Sequence, residues 1–224
     1  MPETPMKAEK NSKPPLAPIT DDQSFRELNH SLREASMHLR EIPNFLRILA
    51  HSPAALKACV LFDQALAQGR LTPQQREQIA LTIAEINGCS YSLSLHCHLA
   101  RHFGLSGEDI RLARRATAAD PQAKAMLRFA QTMVLQRGEI SPDDFQPLRQ
   151  TGFTDAQIIE IIIAIGQNIF ANYFNTAVRT PVDFPRVTPG MDAPALVDSR
   201  RPDGTPDRPQ PANGAASSEI PSTN

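Results

Sequence analysis

Tryptophan is absent from this 224-residue chain, tyrosine occurs twice and cysteine three times. An aromatic platform for stacking unpaired bases is hard to assemble from so few rings. Charge of one sign is also missing: 23 Lys and Arg face 24 Asp and Glu. A polyanion binder shows a basic excess or stripe, and none is visible, so no nucleic-acid partner is expected. No apolar run reaches the roughly 18 residues of a membrane-spanning helix. The richest stretch, Ile158 to Ile165, has Glu160 inside it. The opening residues, MPETPMKAEKNSK, carry no apolar signal core. Cys59, Cys89 and Cys97 are too few for a disulfide framework. The expected setting is therefore cytoplasmic and reducing, with each cysteine either packed or reactive. Alternating β-branched runs between turn signals are lacking too, which argues against a sheet.

What is present is proline at the ends and helix grammar in the middle. Of 20 prolines, five fall in residues 1–20 and eight in residues 185–224. Those ends lack hydrophobic periodicity and cannot bury enough apolar surface to offset chain entropy. The expected organisation is a disordered tail at 1–21, a helical domain at 22–184 and a disordered tail at 185–224. Within the domain, Ser52-Pro53 starts a helix that Gly69 stops. Thr72-Pro73-Gln74-Gln75 is a capping box, with Gly88 as its stop. Gly104 ends the next helix, and Ser106 caps another with Glu108 and Asp109 in its first turn. Asp120-Pro121, Ser141-Pro142 and Thr154-Asp155-Ala156-Gln157 open three more, the last running to about Arg179. The fold class is all-α, with about eight helices and short connections. Ile158 to Phe170 is apolar on nearly every side, so this helix is expected to be buried all round, centrally or between subunits, with the subunit contact favoured.

The segment that carries chemistry is Glu77 to Gly104, EQIALTIAEINGCSYSLSLHCHLARHFG. Cys89, Ser92 and His96 are spaced i, i+3, i+7, on one helical face. Cys89 is expected in the first turn, where the helix dipole favours thiolate. If Gly88 folds the two helices against each other, Glu77 reaches His96, setting its tautomer and raising its basicity. A water or substrate oxygen would bridge His96 to Ser92. Each residue also has a plain reading: Cys89 as a small buried hydrophobe, His96 as a satisfied core histidine, Glu77 as a dipole partner.

From Ile42-Pro43-Asn44 to Asp183-Phe184-Pro185 the chain resembles the carboxymuconolactone decarboxylase family, on its alkyl hydroperoxidase D-like side. The residues that carry this are Arg76-Glu77, Asn87-Gly88-Cys89-Ser90-Tyr91-Ser92 and His96, with Pro43-Asn44-Phe45-Leu46 and Ala50-His51-Ser52-Pro53 upstream. The family's motif is Cys-x-x-Cys, with a His four residues after the second Cys and a Glu twelve before the first. Glu77, Cys89, Tyr91 and His96 match it. Ser92 stands where the second cysteine belongs, the position that resembles the attacking thiol in redox members. Ser92 forms no disulfide, and Cys97 does not replace it: eight residues along a helix is about 12 Å of rise, against a Cα separation of roughly 7 Å at most for a disulfide. Cys59, on another helix, stays a conceivable partner.

Other clusters read more plainly. Adjacent helical residues point about 100° apart, so His96, Cys97 and His98 cannot share one ion. His98 and His102 form a solvated face, and no metal is expected. Arg111, Arg114 and Arg115 read as a solvated basic face behind Glu108 and Asp109. Asn168, Asn172 and Asn175 line one side of the last helix, facing either the site or a subunit contact.

Three functions follow from the resemblance. The first is a thiol-dependent peroxide reductase. Its Cys89 would be oxidised to sulfenic acid, with Glu77, Tyr91 and His96 as proton relay and an external thiol or dithiol as reductant, because Ser92 cannot resolve the intermediate. The second is a cofactor-free decarboxylase of a carboxylic acid acting through His96, with Arg76 or Arg101 holding the carboxylate. The third is a non-catalytic relative. A homo-oligomer, trimer or dimer of trimers, is implied by the same resemblance, and no cofactor is.

Overall fold

The computed structural model describes residues 14–20 and 41–190. Among them are eight α-helices and no strand: α1 (Asn44–Leu49), α2 (Pro53–Ala67), α3 (Pro73–Ile86), α4 (Ser90–His102), α5 (Gly107–Arg114), α6 (Pro121–Leu135), α7 (Gln146–Gln150) after a 3-10 turn at Pro142–Phe145, and α8 (Asp155–Val178). The caps are where the sequence puts them. Ser52, Thr72, Ser106, Asp120 and Thr154 each accept a backbone N–H from the first turn of their helix. The capping boxes at Thr72, Ser106 and Thr154 are complete.

Helix α3 is the axis of the domain. It packs against α4, α5, α6 and α8, and eight of its 14 residues are buried. Ile79, Leu81 and Ile83 join Leu93 of α4, Met126 and Leu127 of α6, Leu148 of α7 and Ile161 of α8 in the main core. A smaller cluster forms where Leu46 and Leu49 of α1 meet Leu56 and Val60 of α2, with Phe174 of α8 against them. Gly88 joins α3 to α4. Its φ of +64° is left-handed, which glycine adopts without strain, and the turn lays α4 back along α3. Between α2 and α3, Glu160 of α8 reaches across to accept the N–H groups of Arg70, at 2.6 Å, and Leu71, at 3.2 Å. A Cβ on Gly69 would sit 2.7 Å from that carboxylate, which would have to shift to admit it. This explains the one charge inside the apolar run.

Three expectations need correcting. The basic face of α5 is not wholly solvated. Arg114 is buried, and its Nε donates to Glu85 of α3 at 2.8 Å, with 6% and 3% of the two side chains exposed. The pair is closed by the chain beyond 184. Gly190 N–H donates to Glu85 Oε1 at 2.5 Å, Thr188 O accepts from Arg114 Nη2 at 3.2 Å, and Val187 N–H donates to Ser94 Oγ at 2.9 Å. Residues 185–190 therefore belong to the domain and not to a tail. The same holds for 14–20: Ile19 exchanges hydrogen bonds with Arg47, and Ala17 O meets His51 Nε2 at 2.9 Å. The rest of both expected tails, and residues 21–40, lie outside the described residues.

Helix α8 is also not buried all round by its own chain. Ile158, Ile161, Ala164, Ile165, Asn168, Asn172 and Asn175 face inward. Ile159, Ile163, Phe170 and Tyr173 are exposed, as are Leu61 and Phe62 of α2. The central alternative is thereby excluded, and an apolar face is left for the expected contact between copies. No single helix among the described residues is long and apolar enough to cross a membrane.

Removing one partner of a buried ion pair leaves an uncompensated charge, at about 3–5 kcal/mol. Arg114→Met should lower the unfolding free energy, read from urea denaturation, by that amount, and adding Glu85→Gln should recover part of it. A loss below about 1 kcal/mol, the value of a surface pair, would contradict the buried clamp.

Candidate active site

Glu77 lies on the inner face of α3 and His96 on the facing side of α4. The hairpin at Gly88 brings them together, with Glu77 Oε2 2.9 Å from His96 Nδ1. Glu77 is 8% exposed and has no other partner among the described residues, so its charge is stabilised by the imidazole. A carboxylate on Nδ1 assigns the proton of the neutral ring to that nitrogen. Nε2 is then the basic atom available for proton exchange. The expected Glu–His contact is present.

One turn earlier on α4 is Ser92. Its Oγ is 3.3 Å from Cys89 Sγ and 3.4 Å from Nδ2 of Asn175 on α8. Thiol and amide both donate, filling the two lone pairs of the hydroxyl oxygen. Its own proton is left to point elsewhere. Asn175 is itself fixed by Thr180, whose Oγ1 donates to Oδ1 at 2.7 Å. Cys89 is the N-cap of α4 and not a member of its first turn; its φ of −88° and ψ of 96° are extended. The thiol is 2% exposed.

A cavity of about 310 Å³ opens between the two hydrophobic clusters. Ser92, His96 and Glu77 line it together with Arg76, Asn168 and Asn175, and most of the remaining wall is apolar. Cys89 does not line it; Ser92 stands between the thiol and the open space. Of the two arginines considered for a substrate carboxylate, Arg76 lines the cavity. Arg101 is exposed and bonds back to Cys97 O at 3.1 Å. Cys59 of α2 is on the cavity wall, half-buried. Burial, reinforced by the charge of Asp63, pushes its thiol up to about 12. Burial also raises Cys97, against the pull of Arg114 and Arg101. All three thiols are free.

Tyr91 is not where a relay needs it. Its ring is 3% exposed and does not line the cavity. Its hydroxyl accepts from Phe45 N–H at 3.0 Å and binds Asp183, whose Oδ2 also takes Asn44 N–H at 2.7 Å. Burial pushes the phenol above its ordinary range, the Phe45 hydrogen bond opposing. Tyr91 thus pins the start of α1 and the 181–184 segment to α4. It moulds the cavity through Pro43, Phe45 and Leu46 without touching the dyad. The three asparagines face inward: Asn172 Oδ1 accepts from Asn87 at 3.1 Å, Asn168 bonds Ala164 O at 2.9 Å, and Asn175 holds Ser92. They serve the interior of one chain. His98 stacks at a tilt on Phe184 and His102 meets Phe103 edge-on. The place of Asn175 on the last helix offers it to the site, but its partner Ser92 is 83 residues away and is not legible; the role of Asp183, 139 residues from Asn44, has no signal in the sequence.

A thiol held at about 12 carries almost no thiolate at neutral pH. Iodoacetamide at pH 8 should therefore modify Cys89 before Cys59 and Cys97, as read by peptide mapping. Labelling of Cys59 should rise only as pH climbs toward 12. Early labelling of Cys59 would contradict this environment.

Residues 53–132 match the carboxymuconolactone decarboxylase family model. Among solved structures, an uncharacterised peroxidase-related protein from Silicibacter sp. TM1040 is 25% identical, with a TM-score of 0.67 over 78% of this chain and 95% of its own. The alkylhydroperoxidase AhpD core of a peroxidase-related protein from Ralstonia eutropha JMP134 is 21% identical, with a TM-score of 0.66 over 75% and 93%. A cysteine-to-alanine variant of the debrominase Bmp8, in complex with 2,3,4-tribromopyrrole, is 17% identical, with a TM-score of 0.66 over 78% and 94%. Residues 53–132 thus carry the match to the carboxymuconolactone decarboxylase family, and the helical fold is the one shared with these peroxidase-related and alkylhydroperoxidase-core structures.

Proposed function

We propose that this protein is a one-cysteine, thiol-dependent reductase of hydroperoxides. The observation that carries the reading is the contact between Cys89 and Ser92 at the edge of the cavity that holds the Glu77–His96 pair. A peroxide in the cavity lies one side chain from the thiol and beside a basic imidazole nitrogen. His96 Nε2 takes the thiol proton, the Cys89 sulfur attacks the terminal oxygen, and the O–O bond breaks. The leaving alkoxide takes the proton back from His96. Thiol and hydroperoxide become sulfenic acid and alcohol. One external thiol then condenses with the sulfenic acid and releases water. A second displaces the mixed disulfide, restoring Cys89 and giving a disulfide of the reductant.

The proposal accounts for the serine. With a hydroxyl at 92 the sulfenic acid has no neighbour to resolve it, so turnover depends on reductant from solution. Ser92 also screens the thiol from the cavity, which makes the reaction slow. Support from related proteins is general: two of the similar structures are described as peroxidase-related, and the debrominase shows that this fold hosts other chemistry.

The test is peroxide consumption with dithiothreitol and cumene hydroperoxide. Cys89→Ser should abolish it. Ser92→Cys should raise it by about ten-fold or more, since an internal resolving thiol acts at high effective concentration. Peroxide should convert that variant to an 89–92 disulfide. Activity that survives Cys89→Ser would overturn the reading. Turnover of a lactone carboxylic acid that survives Cys89→Ser but not His96→Gln would assign acid–base chemistry to His96 instead.

A further inference from the structure

Asn175 has no part in the chemistry just described, yet it stands on the wall where that chemistry happens. It lines the cavity with Ser92 and His96 and is 4% exposed. It comes from the last turn of α8, and the chain beyond that turn fixes its amide. Arg179 has a φ of +52°, in the left-handed region that commonly ends a helix. The turn brings Thr180 back onto Asn175. Its N–H donates to the Asn175 backbone oxygen at 3.0 Å, and its Oγ1 donates to Asn175 Oδ1 at 2.7 Å. Thr180 is itself buried. The amide oxygen of Asn175 is thereby engaged inside the protein, and the amide nitrogen is turned to Ser92.

Counting donors then leaves two protons over. An amide nitrogen carries two N–H groups. Among the described residues Asn175 Nδ2 has one acceptor, Ser92 Oγ, at 3.4 Å. Ser92 is in the same position: its oxygen accepts from Cys89 and from Asn175, and its own O–H has no acceptor among the described residues. A buried donor without an acceptor costs free energy, which a bound oxygen would return. The two donors adjoin, both on the cavity wall. His96, one turn along α4 on the same wall, offers Nε2 as an acceptor.

We infer that Asn175 and Ser92 form a two-donor cradle for one oxygen of a bound molecule, and that this molecule is a hydroxyl or hydroperoxide on a small apolar body. Such a group accepts from the cradle and donates to His96 Nε2; an ether or a ketone only accepts. The cavity volume of about 310 Å³ is near the lower end of the roughly 300–1,000 Å³ typical of organic-ligand pockets. Phe45, Leu95, Leu99, Phe103 and Phe170 supply the apolar bed. Asn175 is then a catalytic residue, and Thr180 positions it. The reaction half of this inference rests on the peroxide reading. As the Cys89 sulfur takes the terminal oxygen, the electron pair of the O–O bond passes to the oxygen left on carbon. The cradle holds that charge until His96 returns the proton. The binding half rests on the geometry alone.

Titration with 2-phenyl-2-propanol, the alcohol left by cumene hydroperoxide, and with isopropylbenzene, the same body without oxygen, tests the cradle without turnover. Calorimetry reads binding, and 15N NMR reads the Asn175 side chain. In the wild type the alcohol should move an Nδ2 proton of Asn175 downfield, and isopropylbenzene should not. Asn175→Leu should weaken the alcohol about five-fold or more, the scale of one neutral hydrogen bond, without weakening isopropylbenzene. Thr180→Val should cause part of that loss, and Thr180→Ser should restore wild-type binding. Circular dichroism verifies that the variants are folded, and the wild-type NMR comparison stands even if they are not. An Asn175 amide that ignores the alcohol, an alcohol affinity unchanged in Asn175→Leu, equal loss of both ligands, or binding of neither would overturn the proposal. A failed peroxide assay leaves this result untouched. Cys89-dependent peroxide turnover at the wild-type rate in Asn175→Leu would remove this proposal alone.

Discussion

Helix α3 carries two carboxylates into the interior, and much of the structure follows from the need to neutralise them. An unpaired buried carboxylate is too costly to keep. Glu77 and Glu85 lie on the same buried helix, and each has drawn a nitrogen donor from a different direction. Glu85 takes Arg114 from α5 and the N–H of Gly190. That clamp fixes α5 on α3 and ties residues 187–190 across both. Glu77 takes His96 from α4, which fixes the hairpin at Gly88 and leaves one imidazole nitrogen toward the cavity. The first carboxylate is spent on architecture, and the second on a base in a defined tautomer.

The site is then a matter of what surrounds that base. Ser92 receives the thiol of Cys89 and the amide of Asn175 at the same oxygen, so it sits at the junction of α4 and α8. Where a second cysteine would expose a thiol to the cavity, this chain exposes a hydroxyl and keeps its one motif thiol behind it. Chemistry at Cys89 therefore depends on access past Ser92. Tyr91 works at a distance: by holding Phe45 and Asp183 it sets the position of α1, one wall of the cavity.

The helix boundaries were legible because they are local. Ser52, Thr72, Ser106 and Thr154 state their caps within four residues, and left-handed glycines close several helices. The contact of Glu77 with His96 was legible for a related reason, since one glycine turn separates two helices of known pitch. Pairings across the fold were not. Arg114 reads as one of three surface arginines because its neighbours in sequence are charged, while its partner is 29 residues upstream. Tyr91 reads as a relay member from its place in the motif, and only the approach of Asn44, Phe45 and Asp183 gives its hydroxyl other partners. The proline-rich ends hid the contacts of 14–20 and 185–190, which are made through backbone groups that every residue carries.

The central claim is that Glu77 holds the proton of neutral His96 on Nδ1 and leaves Nε2 as the base. Ring nitrogen shifts of His96, recorded by 15N NMR above the pH at which the imidazole loses its charge, read this directly. The account predicts a protonated Nδ1 and an unprotonated Nε2 in the wild type, with the bias lost in Glu77→Gln. A proton on Nε2, or a tautomer indifferent to Glu77, would contradict it.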